Sequence, residues 1–389
     1  MARIFSIVLV IASLIALPAA QVFAADPAPP IRVGATVSLS GDLALLGRGE
    51  LEGMQMWADD VNRRGALLGR KVEIVFYDDA SDPEQSALLY EKLISEDGVD
   101  LLLGPYGSDL TYTASAVAER HNFPLVATGA AASKIWSRGF NNVFQIDAPA
   151  SRYMDLPLEF AHEKGLTRVA LVYSDEEFPQ EVAEGARAKA REYGMEIVFD
   201  AEYPEGQLDF DQLAGSLAGA NAQVLIGGTY LDDSISLMQS LDRLGITPSL
   251  IAMTVGPAQK AFGDALGANA ENVMGVVAWM RSGFLPMAYD FSYRYKAKYG
   301  SNAAAPAAYG YAGGQVLEAA VRLAGSLDHD AVREQLRTMT FRSILGPYRV
   351  DEAGRQMAKK TYVMQWQTGF RLLVLPEDLR DSPVVFPYR

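Results

Sequence analysis

The stretch LLLGPYGSDLTYTASAVAERHNFPLVATGAA, residues 101–131, decides the fold of this chain. Its apolar start predicts a buried strand, the next segment predicts a helix capped by Ser108, and the LVA segment predicts a second strand ending in a Gly-Ala turn. This places the serine hydroxyl and the backbone amides of Gly129–Ala131 side by side at the carboxyl ends of two strands. Unpaired amides and a helix dipole favour a small anion there, so we expect binding of a carboxylate rather than catalysis.

The rest of the chain repeats this alternation of strands and helices in two runs, separated near residues 147–153. Predicted strands cover residues 31–38, 72–77, 99–103, 168–173, 195–199 and 224–226, and predicted helices include 180–193 and 232–244. Asp82 is predicted to cap the helix that begins at Pro83. Such alternation predicts an α/β protein with two doubly wound parallel-sheet lobes, and a ligand in the cleft between them.

Composition narrows the classes of function. The 389 residues carry a formal net charge of −14, which disfavours nucleic acid or an anionic membrane as a partner. The absence of cysteine excludes disulfides and cysteine-ligated metals. Residues 1–24 have a positive start, an apolar run shorter than the roughly 20 residues of a spanning helix, and small residues before Ala24. We therefore expect an export signal cleaved after Ala24 and no membrane insertion.

Signatures of enzymes and metal sites are weak in this sequence. It contains neither the GxSxG pattern of serine hydrolases nor the GxxxxGK[ST] loop that binds phosphates. The three histidines are scattered, and the acidic run 78–82 lacks the spacing of a calcium loop. We therefore predict no catalytic residue, no metal and no cofactor.

Five segments together resemble the type I periplasmic solute-binding proteins of ABC importers, of the branched-chain amino acid and amide class. They are VGATVSLSGDLALLGRGELEGMQMWADDVN, YDDASDPEQSA, GPYGSDLTYTAS, TGAAA and TVGPAQKAFGDAL. The resemblance implies two lobes joined by three crossover segments, with the C-terminal part returning to each lobe in turn. On this basis lobe 1 comprises residues 26–148 plus 278–345, and lobe 2 comprises 149–277 plus 346–389.

The resemblance also implies where a ligand binds. The carboxylate would contact Ser108 and the amides of Gly129, Ala130 and Ala131, although the amino-acid binders have a threonine where this chain has Ala131. Tyr106, in the loop before Ser108, could also face the ligand. Four further positions match residues that contact the ligand in the family; they are Leu46, Phe178, Tyr230 and Thr254. The acid that pairs with a substrate ammonium in leucine-type proteins falls near Thr254. The missing acid therefore favours a ligand with a carboxylate and no amine, unless another acid takes that role; the candidates are Asp175, Glu176, Asp232 and Asp233.

The implied function is capture of a small carboxylate by lobe closure, followed by delivery to the membrane permease of an ABC importer. The carboxylate would be a branched-chain or other amino acid, an amide, or a related acid. Three alternatives stay open at this point: an amine-free aromatic or aliphatic acid as ligand, a periplasmic sensor that reports to a regulatory partner, and a periplasmic hydrolase. We expect a monomer without enzymatic activity.

Overall fold

The computed structural model describes residues 28–389, so the expected signal segment 1–24 lies outside the described residues. The first sheet has five parallel strands in the order β2-β1-β3-β4-β5. These strands are β1 (Ile31–Val37), β2 (Val72–Asp78), β3 (Leu101–Leu103), β4 (Leu125–Ala127) and β5 (Val143–Gln145). The three short central and edge strands β3 to β5 are buried throughout, as expected for a parallel sheet covered by helices on both faces.

The second sheet repeats this strand order and adds two antiparallel strands at one edge. Its strands are β6 (Arg168–Ser174), β7 (Glu196–Tyr203), β8 (Val224–Gly228), β9 (Leu250–Met253), β10 (Met274–Val277), β13 (Tyr362–Gln367) and β14 (Phe370–Leu375). A separate two-stranded hairpin, β11 (Phe341–Ser343) and β12 (Gly346–Tyr348), precedes β13 in the chain. The order is β14-β13-β10-β9-β8-β6-β7, with β13 and β14 antiparallel to their neighbours. The predicted fold class, an α/β protein with two doubly wound parallel-sheet lobes, is confirmed.

Eleven α-helices lie within the described range. They are α1 (Ala44–Arg63), α2 (Pro83–Ser95), α3 (Ser108–Arg120), α4 (Asp155–Glu163), α5 (Glu177–Glu192), α6 (Asp211–Ala218), α7 (Leu231–Arg243), α8 (Lys260–Leu266), α9 (Ala288–Tyr299), α10 (Ala305–Ala324) and α11 (His329–Thr338). Helices α1 and α10 pack so closely that a Cβ atom at Gly53 or Gly310 would overlap the backbone of the other helix. Over residues 28–389, no helix has the length and apolar character needed to cross a bilayer.

Three connections carry the chain between the elements of the two sheets: residues 146–154, 278–287 and 349–361. The third connection still contacts the first sheet through Gln145 at the end of β5. The backbone N–H of Gln145 donates to the Gly354 carbonyl, and the backbone N–H of Gln356 donates to the Gln145 side-chain oxygen. The division into lobes stays a proposal. These contacts favour a return to lobe 2 near residue 360 rather than directly after residue 345.

Candidate functional site

A cavity lies between the two sheets, where their strands end. Tyr106 follows β3, Gly129 follows β4, Phe178 follows β6 and Tyr230 follows β8, so the carboxyl ends of both sheets contribute to it. This is the place where doubly wound sheets bind ligands. The complete lining is Tyr106, Ser108, Gly129, Ala131, Asp147, Tyr153, Phe178, Tyr230, Val255, Ala258, Gln259, Val276, Val277, Ala305, Pro306 and Tyr309.

Ser108 lies in this lining, but it is not the helix cap that the sequence predicted. Helix α3 begins at Ser108 itself, and Gly107 precedes it with a φ of 103°, a conformation that glycine adopts without strain. The Ser108 hydroxyl instead accepts hydrogen bonds from the N–H groups of Ala131 and Ala132, at 3.2 and 3.1 Å. Both lone pairs of the hydroxyl are then used, so the hydroxyl proton is its remaining hydrogen-bonding group.

The turn at Gly129 packs directly against Tyr106. The backbone N–H of Gly107 donates to the Gly129 carbonyl at 3.0 Å, which extends the pairing of the two loops beyond β3 and β4. A Cβ atom at position 129 would lie 2.5 Å from the Tyr106 ring, so only glycine permits this approach. Tyr106 in turn stacks on Tyr309, with ring centroids 6.3 Å apart. These contacts hold one wall of the cavity in place.

Aromatic side chains form the opposite wall. Phe178 packs edge-on against Tyr153, at 5.1 Å between ring centroids, and lies 6.2 Å from the ring of Tyr230. Both predicted aromatic positions of the second lobe, Phe178 and Tyr230, therefore meet in the cavity together with Ser108 and Tyr106. Tyr153, Tyr309 and Gln259 line it too, and the sequence analysis did not select them.

Three of the selected positions do not line the cavity. Leu46 and Ala130 are buried in the packing of the first lobe. Thr254 is fully buried, and its hydroxyl donates to the Thr229 carbonyl at 2.5 Å and accepts from the Thr229 N–H at 2.9 Å. The next residue along the chain, Val255, lines the cavity instead. An ungapped match to the family cannot resolve such a one-residue difference.

Asp147 is the one carboxylate among the cavity-lining residues that the structure describes, and the sequence analysis missed it as a site residue. It lies two residues after the end of β5, and only 3% of its surface is exposed. Its Oδ1 accepts from the Ala148 N–H at 2.6 Å and its Oδ2 accepts from the Tyr153 hydroxyl at 2.9 Å. Burial raises the pKa of Asp147, while these hydrogen bonds and the positive charge of Lys359 oppose that shift. An acidic residue two positions after a buried strand was the available signal.

A second buried acid lies beneath the Gly129 turn. Glu50 of α1 is fully buried, its Oε1 accepts a short hydrogen bond from the Thr128 hydroxyl, and its Oε2 has no partner within residues 28–389. Burial raises the pKa of Glu50 to about 8, so the side chain is largely a neutral carboxylic acid near pH 7. A neutral Glu50 leaves no negative charge beneath the Gly129 turn.

The two lobes also contact each other outside the cavity. Glu181 of α5 accepts hydrogen bonds from the Ser133 N–H and, at 2.5 Å, from the Ser133 hydroxyl. Lys134 forms an ion pair with Glu177, also on α5. These bonds join the segment after β4 to the helix after β6, so they stabilise the arrangement in which both lobes line the cavity.

Asp147 and the tyrosines are the titratable groups among the described residues that line the cavity. Among its described lining residues there is no histidine, cysteine or lysine to serve as nucleophile or general base, and the Ser108 hydroxyl contacts only amides. Within residues 28–389, no three His, Asp or Glu side chains lie close enough together to hold a metal ion. The side chains that line the cavity can bind a molecule through hydrogen bonds, charge and aromatic contact.

Comparison with known proteins agrees with this geometry. A family described as periplasmic binding protein matches residues 30–371. Leu/Ile/Val-binding protein homolog 7 of Brucella abortus (strain 2308) is 27% identical over 388 residues, covering 95% of this chain and 97% of the relative.

Two solved structures share the fold. A leucine-binding protein from Thermotoga maritima superposes with a TM-score of 0.80 at 23% identity, covering 90% of this chain and 100% of the other. A solute-binding protein of an ABC transporter from R. palustris, in complex with benzoate, superposes with a TM-score of 0.78 at 20% identity, covering 92% and 97%. Since the family match spans most of its length, the chain belongs to the periplasmic binding protein family.

Proposed function

We propose that this protein captures a small carboxylate in the cavity between its lobes, for uptake by an ABC importer. The observation that carries the proposal is the Ser108 hydroxyl, which accepts from two amides and therefore presents its proton to the cavity. A charge-assisted hydrogen bond contributes about 1.5–3 kcal/mol. Contact with Tyr106, Phe178 and Tyr230, and exclusion of water, would supply most of the remainder.

Closure of the lobes would couple binding to transport. Only a closed arrangement lets the first-lobe donors and the second-lobe aromatic rings touch one ligand, so the ligand shifts the equilibrium towards closure. The closed form would then be presented to a membrane permease from the periplasm, with the protein acting as a monomer. Relatives of the Leu/Ile/Val-binding type and neighbours with bound isoleucine or benzoate support a small carboxylate as the ligand.

Replacing Ser108 by alanine tests the proposal. We expect the dissociation constant for the bound carboxylate, found by a thermal-shift screen and measured by calorimetry, to rise about tenfold or more. Ser115→Ala is the matched control, because Ser115 is a buried serine of the same helix whose hydroxyl donates to the Tyr112 carbonyl and which does not line the cavity. Equal affinities of the Ser108→Ala variant and the control would contradict the proposal.

A role as a sensor would use the same cavity and the same closure. The distinguishing measurement is the ATPase rate of the cognate importer in membranes. Stimulation by the liganded protein supports transport, and a liganded protein that leaves the rate unchanged contradicts it.

A further inference from the structure

One face of helix α5 reaches from the first connection, residues 146–154, towards the cavity. Glu177, Glu181 and Gly185 are spaced four residues apart and therefore share this face. A Cβ atom at Gly185 would lie 2.0 Å from the Ser151 carbonyl oxygen, so α5 packs directly against the first connection. Because an α-helix rises about 1.5 Å per residue, Glu177 lies about 12 Å farther along the helix axis, beside the cavity-lining Phe178.

Glu181 binds the first lobe at the middle of this face. Only 9% of its surface is exposed, and its carboxylate accepts hydrogen bonds from the N–H and the hydroxyl of Ser133, in the segment after β4. It also accepts from the Ser151 N–H of the first connection, at 3.3 Å. Hydrogen bonds to a charged acceptor are roughly twice as strong as those between neutral groups. These bonds join the second lobe to the first through protein atoms alone.

Lys134 extends the contact to the outer end of the face. Its ammonium pairs with Glu177 of the second lobe and lies 5.1 Å from the centre of the Tyr112 ring in its own lobe. Burial and, less strongly, the negative charge of Glu177 raise the pKa of Asp109, at the start of α3, to about 6. Acids of the two lobes therefore repel each other here. Lys134 offsets this repulsion, because a hydrogen bond to Glu177 and the charges of Glu177 and Asp109 raise the pKa of Lys134.

We propose that these contacts form a clasp that holds the two lobes together without a ligand, so that part of the unliganded protein is already closed. The clasp consists of Ser133 and Lys134 on the first lobe and Glu177 and Glu181 on the second. None of the four is among the described residues that line the cavity. The inference uses the lobe closure of the proposed function, but the clasp acts before any ligand binds. A partly closed population leaves less of the equilibrium for a ligand to shift.

Distances between two spin labels test the clasp in the absence of ligand. The chain contains no cysteine, so Leu45→Cys and Leu208→Cys provide two unique labelling sites. Both leucines are exposed. Burial, and then the charges of groups that include Asp42, raise the pKa of Glu205, so the loops next to the two labels face each other across the lobes. Double electron–electron resonance, on mature protein freed of bound ligand by unfolding and refolding, gives the fraction of closed molecules. We expect the short distance in about a tenth of wild-type molecules or more.

Reversing the charge of Lys134 should open the protein. Lys134→Glu adds a third acid beside Glu177 and Asp109, and should lower the ratio of closed to open molecules about fivefold or more. The double variant Lys134→Glu/Glu177→Lys restores a pair of opposite charges and should return the ratio to within about twofold of the wild type. Ser133→Ala is a smaller change, which removes the hydroxyl that donates to Glu181, and should lower the ratio about threefold or more.

Lys189→Glu is the matched control. Lys189 also pairs with a glutamate, Glu192, and lies over a tyrosine ring, that of Tyr193, but all three residues belong to the second lobe. The control makes the same change of charge on α5 without touching the first lobe. It should leave the fraction of closed molecules unchanged.

The outcomes separate this inference from the proposed function. An unliganded wild type that shows only the long distance, or equal closed fractions in the wild type, Lys134→Glu and Ser133→Ala, overturns the clasp and leaves carboxylate capture intact. A double variant as open as Lys134→Glu overturns the role of the ion pair. Failure of every carboxylate to bind overturns the proposed function and leaves the clasp, because the distances are measured without ligand. Loss of closed molecules in Lys134→Glu, their return in the double variant and no change in Lys189→Glu support the inference.

Discussion

Replacing Glu50 by glutamine should make the protein more stable, and the gain should grow with pH. Glu50 is fully buried, and burial is the largest cause that raises its pKa from 4.5 to about 8. Below about pH 4.5 the carboxyl is protonated in the folded and the unfolded protein alike. Between pH 4.5 and about 8 only the unfolded chain ionises, so ionisation stabilises the unfolded state and the wild type loses stability as pH rises.

The size of the effect follows from that interval. Each unit of difference in pKa corresponds to about 1.36 kcal/mol. The free energy of unfolding of the wild type should therefore fall, relative to the variant, by about 3 kcal/mol between pH 4.5 and 7. Glutamine does not ionise, and its carbonyl oxygen can accept the Thr128 hydroxyl as Glu50 does. The difference should level off above about pH 8, where the folded protein also ionises.

The assay is urea denaturation followed by circular dichroism at several pH values between about 5 and 9. Glu96→Gln is the control, because it makes the same substitution at an exposed residue at the end of α2. A constant difference between wild type and Glu50→Gln over this range would refute a neutral Glu50. So would a variant that becomes less stable than the wild type as pH rises.

Two further substitutions separate packing from ligand contact. Gly129→Ala should weaken carboxylate binding about tenfold, because the new Cβ atom would lie 2.5 Å from the Tyr106 ring and displace it; calorimetry with unchanged affinity would contradict this. Thr254→Val should lower the free energy of unfolding by about 1–3 kcal/mol, since the buried Thr229 N–H loses its acceptor. Its ligand affinity should change by less than about twofold because Thr254 does not line the cavity. A large loss of affinity would restore Thr254 as a ligand contact.

Local patterns in the sequence were sufficient to predict the fold and to predict that the cavity lies at the carboxyl ends of the strands. The alternation of strands and helices predicted both sheets, and Asp82 caps α2 as expected, accepting from the N–H groups of Glu84 and Gln85. Capping and periodicity depend on residues close in sequence, which is why they were readable. The strands β13 and β14, which return to the second sheet from the end of the chain, depend on distant pairing and were not predicted residue by residue.

The candidate site was only partly readable for the same reason. Ser108 was expected to cap its own helix, but it bonds to amides more than 20 residues away, at Ala131 and Ala132. Asp147 was treated as the start of a connection between lobes, and only the meeting of β5 with β4 places it in the cavity. Contacts of this kind come from the assembly of the sheet, which local sequence does not encode.

The most direct test of the central claim is a crystal structure of the protein with a carboxylate ligand that calorimetry has shown to bind. We expect the ligand in the cavity between the lobes, with a carboxylate oxygen within hydrogen-bond distance of the Ser108 hydroxyl. A ligand bound elsewhere, or one whose carboxylate points away from Ser108 and the turn at residues 129–131, would contradict the account.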